Sequence, residues 1–505
     1  MKRQPNILIL MLDQLSGTLF PDGPADFLHV PHLRALAERS LRFANCYTAS
    51  PLCVPARVSF MTGLLPAKTG VYDNAAEFPA SLPSFAHYLR RAGYLTVLSG
   101  KMHFVGPDQL HGFERRLTTD IYPADFGWTP DYRKPGERID WWYHNMSSVT
   151  GAGVAETSNQ LEFDDEVAFH AEAEIYRLAR GGEGRPWCLT VSFTHPHDPY
   201  VARPEFWDLY QDCPALEPET EGIPFAAQDP HSQRLLLAND YENFEIRPED
   251  VRRARRAYFA NVSYVDEKIG RILSALSRCG LADDTVVVLC ADHGDMLGER
   301  GLWFKMSFFE GSARIPLMLA APGLAPTRVE TPVSLLDVAP TLADLACPGG
   351  AESMLPVDGS SLMGLAAGEG RDAPVLMEYA AEGSYAPLVA IREGRWKFTH
   401  CPLDPPQLFD LEADPQERRN LAEDPNYGPQ VVAFMQQVEA RWDMAAFDAA
   451  VRESQARRWV VYEALRQGRH QPWDHEPQTD AAERFMRNHM DLNVVETKAR
   501  FPRDE

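Results

Sequence analysis

The chain has 505 residues, 45% of them hydrophobic, which is enough to bury a large core. It carries 49 lysines and arginines against 72 acidic residues, a net charge of −23, which disfavours nucleic acid and anionic membrane as partners. If so acidic a protein binds an anion, it must do so at a local basic or metallic site.

The N-terminus reads MKRQPNILILMLDQ. Residues 7–12 are uniformly apolar, and NILILML (6–12) predicts a buried strand with Asp13 at its C-terminal end. The run is short for a secretory leader, no small-residue cleavage site follows, and no stretch is long enough to span a bilayer, so the chain reads as cytoplasmic. Residues 32–40 have helical spacing. SPLCVPARVSFMTG (50–63) sets Cys53, Pro55 and Arg57 ahead of a Thr62-Gly63 turn, with no second cysteine at metal-clip spacing. SFAHYLRRAG (84–93) predicts an amphipathic helix closed by Gly93, and a strand follows over 94–99. WCLTVSF (187–193) is a strand running into Thr194-His195-Pro196-His197. Residues 251–279 give a long helix capped by Gly280, and TVVVLC (285–290) a fully apolar strand ending in Ala291-Asp292-His293-Gly294-Asp295.

Helical segments alternating with short apolar strands predict a mostly parallel sheet covered on both faces. Chemically loaded residues repeatedly fall just past strand C-termini, where open α/β sheets bind ligands. Three regions are expected: an α/β core over 1–370, a small sheet subdomain over 371–429 with a hairpin turn at Glu393-Gly394, and a helical extension over 430–505. The extension mixes an apolar stripe with Trp473, Phe485, Met486 and many charges, and it is expected to join subunits into a dimer or tetramer and to close part of a neighbour's site, with Asp491 adding negative charge there. The eight cysteines are scattered without a CxxC pair and read as free thiols.

Asp13 and Asp292 each end an apolar strand. Buried carboxylates are costly unless paired or metal-bound, so the two, with Gln14 and His293 beside them, suggest a divalent cation site. Oxygen donors favour calcium or magnesium, and the histidine leaves manganese open. Arg57, Lys101, His103, His197 and Lys305 form the local basic cluster that the acidic composition requires, suited to a tetrahedral oxyanion.

CVPAR before the Thr62-Gly63 turn resembles the C-x-P-x-R maturation motif of type I sulfatases, with Ala56 where serine is common. The GK-x-H, PH-x-P and DHG elements and FDLEADPQERRNLA also resemble that family, in its usual order, over most of the first 425 residues. The resemblance implies an alkaline-phosphatase-like α/β fold, a mostly parallel sheet sandwiched by helices with a smaller C-terminal antiparallel sheet. It implies that a maturation system oxidises Cys53 to formylglycine, whose hydrate attacks a sulfate ester held by the cation and Arg57. Metal ligands would be Asp13, Gln14, residue 53, Asp292 and His293, with calcium favoured. Lys101 and Lys305 would balance sulfuryl charge, His197 would act as general acid and His103 as base. Asp13-Gln14 replaces the Asp-Asp of many sulfatases. With DHGD, this form resembles both the choline-sulfatase branch and the phosphonate monoester hydrolases. FPDGPADF, VYDNAAEF and the aromatic stretch 120–145 resemble the choline-sulfatase branch closely. A quaternary ammonium has no N–H donor and must be held by aromatic faces and carboxylates. Trp128, Trp141, Trp142, Tyr143 and His144 share one turn-rich region, and the resemblance favours Trp128, His144, Asn74 and Glu382 as contacts. The alternatives are a phosphonate monoester or phosphodiester hydrolase with the same core, and a non-catalytic quaternary-ammonium binding protein.

Overall fold

The structure is a computed structural model, and it describes residues 4–134, 136–138, 144–181, 184–469, 472–483, 485 and 487–501. Eight strands form the main sheet: β1 Asn6–Asp13, β2 Leu41–Phe43, β3 Leu95–Gly100, β4 Arg115–Arg116, β5 Trp187–Pro196, β6 Thr285–Ala291, β7 Leu317–Ala320 and β8 Thr327–Val329, in the order β8-β2-β7-β6-β1-β5-β3-β4. β6, β1, β5, β3 and β4 run parallel, and β7 pairs antiparallel with β6. β1, β3, β5 and β6 are buried along their whole length, which is why β1 and β6 read as nearly continuous apolar runs, while the polar residues of β3 and β5, such as Thr96, Thr190 and Ser192, are small and buried as well.

The helices that matter here are α1 Pro31–Glu38, α2 Cys53–Thr62, α3 Phe85–Arg91, α4 Asn159–Ala179, α5 Pro248–Arg278, α6 Gly428–Arg441 and α7 Met444–Leu465. Ser84 caps α3 by accepting from His87 N–H, as SFAH predicts. α5 begins three residues before its apolar pattern, because Pro248 needs no N–H partner at the first helical position. The C-terminal helical pattern is two helices, since Asp443 accepts from Ala446 N–H and starts α7 afresh. β5 extends past the predicted strand to Pro196, where a bulge lets it pair with Asp13.

A separate antiparallel sheet follows: β9 Val375–Tyr379, β10 Leu388–Glu393, β11 Trp396–Cys401 and β12 Asp404–Asp410. Gly394 turns the β10–β11 hairpin at φ 56. Lys397 on β11 is buried between Glu310 at 2.8 Å and Glu417 at 2.6 Å, which ties this sheet to the core. Beyond α7 the chain returns to its own core: Trp473 packs edge-on against Phe126, and Asp474 accepts from Ala124 N–H at 3.0 Å. Asp491 caps the short helix Leu492–Ala499. Trp141, Trp142, Tyr143 and Met486 lie outside the described residues. No described helix is long and apolar enough to cross a membrane.

Candidate active site

Strand register builds the centre. Leu12 of β1 pairs with Ala291 of β6, so Asp13 and Asp292 emerge side by side at the C-terminal edge. α2 brings Cys53 to the same edge at its first position. The helix has no side-chain cap at Leu52, and Asn74 Oδ1 accepts from the Val54 N–H at 3.0 Å instead. Pro55 is tolerated in this first turn, and Arg57 lies one turn on, on the same face as Cys53. The C-x-P-x-R spacing is therefore a helix N-terminus with a guanidinium placed below the thiol.

The Cys53 Sγ lies 3.3 Å from His293 Nε2, 3.8 Å from Lys101 Nζ and 4.0 Å from Asp13 Oδ1. Burial and the Asp13 carboxylate push the thiol up to about 11. Arg57 is fully buried. Its Nη2 donates to Asp13 Oδ2 and its Nε to Asp292 Oδ2, each at 2.8 Å, and Nη1 donates to the Lys101 carbonyl and Ser192 Oγ. The guanidinium thus braces the two carboxylates. Its hydrogen bonds go to these partners rather than to the side chain of residue 53. Lys101 Nζ pairs with Asp13 and lies 4.3 Å from the centre of the Tyr122 ring. Burial opposes the ionisation of Asp13, yet Lys101, His197 and Arg57 hold it well below the usual carboxylate range.

Asp13, Cys53, Asp292 and His293 offer four ligand atoms within 4.8 Å of one another. Two buried carboxylates and an imidazole beside residue 53 fit a hard divalent cation. Gln14 stands next to them with φ 65, a left-handed conformation uncommon for non-glycine residues. Its Oε1 accepts from Lys305 Nζ at 2.6 Å, and an amide oxygen has a second lone pair for a cation.

Lys305 Nζ also donates to His197 Nε2 at 2.8 Å, while His197 Nδ1 bonds the Asp198 carbonyl. Burial and the Lys305 charge hold His197 well below its ordinary value, so the ring is neutral. His103, at φ 55, is buried with neither ring nitrogen partnered among the described residues, and burial and Lys101 push it down to about 3. Trp128 stands edge-on to His103 at 5.6 Å and close to Tyr122 at 5.2 Å. His144 stacks on Phe304 at 4.7 Å, near His197. Glu382 is buried, Oε2 has no hydrogen-bond partner among the described residues, and burial with the nearby Asp73 charge pushes it up to about 7. It lines a cavity of about 270 Å3 together with Tyr132, Arg138, Arg234 and Tyr385.

Four residues here were not singled out in the sequence. Asp295 accepts from Gln14 Nε2, Tyr200 OH, Leu297 N–H and Phe304 N–H, fixing both Gln14 and the Lys305 loop. Asp198 accepts from Gln14 Nε2 and bonds His144 Nδ1. Asp120 accepts from the backbone N–H groups of Met102 and His103. Tyr122 lies under Lys101. The first two stand inside DHGD and THPHDPY and were in plain view. Nothing in the spacing marks Asp120 or Tyr122.

The sulfatase family model matches residues 5–348. The chain belongs to the sulfatase family. A choline sulfatase C-terminal model matches residues 449–501, and a C-terminal model of N-sulphoglucosamine sulphohydrolase matches 298–443. Over 99% of each chain, this sulfatase is 67% identical to the choline-sulfatase of Rhizobium meliloti. It is 28% identical to an arylsulfatase of Clostridium perfringens, over 84% of this chain and 91% of that one. Among solved structures, the phosphonate monoester hydrolase of Silicibacter pomeroyi superposes with a TM-score of 0.68 at 23% identity, over 86% of this chain and 95% of that one. That likeness shows the fold, which is the alkaline-phosphatase-like α/β architecture expected.

Proposed function

We propose that this chain hydrolyses choline-O-sulfate to choline and sulfate. The enzyme is a sulfuric ester hydrolase. What carries the substrate assignment is full-length identity of 67% to a choline-sulfatase, with the match continuing through the C-terminal segment. The geometry supports it at both ends of such a substrate. Lys101 and Lys305 converge on the residue-53 side for the anion. Glu382, with its unpartnered oxygen, and the Trp128 face supply what a quaternary ammonium needs.

When present, the oxidised residue 53 supplies a hydrated-aldehyde nucleophile and the divalent cation supplies positive charge to the sulfuryl oxygens. We assign the cation to Asp13, Gln14, residue 53, Asp292 and His293, and favour calcium because oxygen donors dominate. Arg57 fixes the spacing of the two carboxylates, while Lys101 and Lys305 place charge where the sulfuryl oxygens gather it. The leaving choline alkoxide is a strong base and requires a proton. We assign the general acid to the His197–Lys305 pair: the ring is neutral at rest, so the proton delivered to the leaving oxygen is the one Lys305 shares with His197 Nε2, and Lys305 gives up its charge only as the alkoxide departs. His103, neutral and unpartnered, accepts the proton released when residue 53 expels sulfate. A maturation system for Cys53, a cytoplasmic location and a homo-oligomer belong to the same proposal.

The test compares choline sulfate with a phosphonate monoester on the matured, calcium-loaded enzyme. We expect kcat/KM to favour choline sulfate. A preference for the phosphonate would establish the rival assignment, and binding of choline sulfate without turnover would make the protein a binder.

A further inference from the structure

The substrate end of the site is held from an unexpected place. α7 lies beyond the residues that match the sulfatase family model, yet one face of it grips the loops that carry Asn74, Trp128 and Glu382. Arg452, Gln455, Arg458 and Tyr462 recur at three- and four-residue steps and so share that face. Arg458 donates from Nη1 and Nη2 to the two oxygens of Asp73, each at 2.7 Å, and Nη1 also donates to Thr129 Oγ1 at 2.9 Å. Both members of the ion pair are buried. Asp73 precedes Asn74, and Thr129 follows Trp128. Gln455 Oε1 accepts from Tyr132 N–H at 3.0 Å, and Arg452 donates to the Tyr132 and Tyr385 carbonyls, each at 3.0 Å. Tyr132 OH in turn donates to the carbonyl of Ala381, the residue before Glu382, at 3.3 Å. Each of the three substrate-end groups therefore sits one residue from an atom that α7 holds directly or through Tyr132.

We infer that Arg458 and Gln455 are positioning residues that set the spacing of Asn74, Trp128 and Glu382, and so fix the preference for a sulfate ester of a quaternary-ammonium alcohol over one whose alcohol carries no cation. Neither is assigned a contact with substrate. This rests on the choline sulfate reading above. The chemistry favours such a role: a planar guanidinium grips a carboxylate at two points and Thr129 at a third, fixing orientation as well as distance. A buried ion pair of this kind adds little net stability, so what it contributes is geometry.

Removing Arg458 alone would strand a buried carboxylate and threaten folding. The main variant is therefore Arg458→Gln with Asp73→Asn, a neutral pair that can still hydrogen-bond. Gln455→Ala, which leaves the ion pair whole, is the second. Both are assayed with wild type, as matured full-length enzyme, for kcat/KM on choline sulfate and on nitrophenyl sulfate. We expect the ratio of the two to fall about tenfold in the double variant, mainly through KM for choline sulfate, and about threefold in Gln455→Ala. Arg458→Lys should recover part of it. An unchanged ratio, whether both substrates lose alike or neither does, overturns the inference. If the double variant is insoluble, the Gln455→Ala ratio decides. A wild-type enzyme that fails to turn over choline sulfate overturns the underlying reading, and this one with it.

Discussion

Cys53 heads a helix, faces two carboxylates and a lysine, and is almost wholly buried, so its role is decided by what its side chain becomes. Cys53→Ala removes one small atom from a polar centre, at a stability cost of about 1 kcal/mol, but it removes the nucleophile entirely. Turnover should vanish while the far-ultraviolet spectrum and melting temperature stay near wild type. Near-normal hydrolysis by the folded variant would exclude the mechanism. Glu382 gives a pH test. Its pKa is raised to about 7 from an ordinary 4.5, so between those values the folded protein holds a proton that the unfolded chain has lost. Stability contributed at acidic pH is thus lost as pH rises through that window. Glu382→Gln should raise the melting temperature at pH 8 and leave it unchanged at pH 4. Recognition has the opposite sign: the cation needs the carboxylate, so kcat/KM for choline sulfate should fall below about pH 7, and for nitrophenyl sulfate it should not. Parallel profiles for the two esters would remove Glu382 from the binding site.

At the scale of elements, the centre depends on where strands stop. The β1–β6 register sets Asp13 beside Asp292, and the β3–β5 pairing ends at Gly100 opposite Ser192. Gly100 has φ +107, and a Cβ there would run into the Ser192 carbonyl oxygen. The glycine of the GK-x-H motif is therefore required twice over, once for its conformation and once for close backbone approach. Gly100→Ala should cost about 3 kcal/mol or more, from strain plus overpacking, and should reduce activity by displacing Lys101 and His103. Gly394→Ala is the control. It shares a positive φ, but an added Cβ there meets nothing, so about 1 kcal/mol is expected. Equal urea midpoints for the two variants would show that packing at Gly100 is irrelevant.

At the scale of the molecule, α7 and the tail pack on the segments that lead to the proposed substrate contacts. Trp473, Asp474 and His475 lie along the 116–126 segment that leads to Trp128. Phe501 packs near Tyr176 on α4. The same region leaves the apolar side chains of Val460, Val461 and Leu465 exposed, and a contact between subunits would cover them. Deleting residues after Gly468 should lower the oligomeric mass in light scattering and raise KM for choline sulfate. A truncated enzyme with unchanged mass and KM would leave the tail with neither role.

By itself, the sequence determined the alternation of buried strands and helices, the strand ends bearing Asp13, His197 and Asp292, and the C-x-P-x-R motif, though not that this motif opens a helix. These are local facts, set by periodicity, by proline and glycine, and by residue types that are costly to bury without a purpose. Only the tertiary structure decided which distant groups meet. Asp120 under the Met102 and His103 amides, Tyr122 under Lys101, and Arg458 on Asp73 across 385 positions carry no spacing signal, because each contact is made by packing rather than by chain neighbourhood. The apolar stripe of the C-terminal helices was legible; the fact that one face of α7 grips the substrate loops was not, since a helix pattern states which side is buried but not against what.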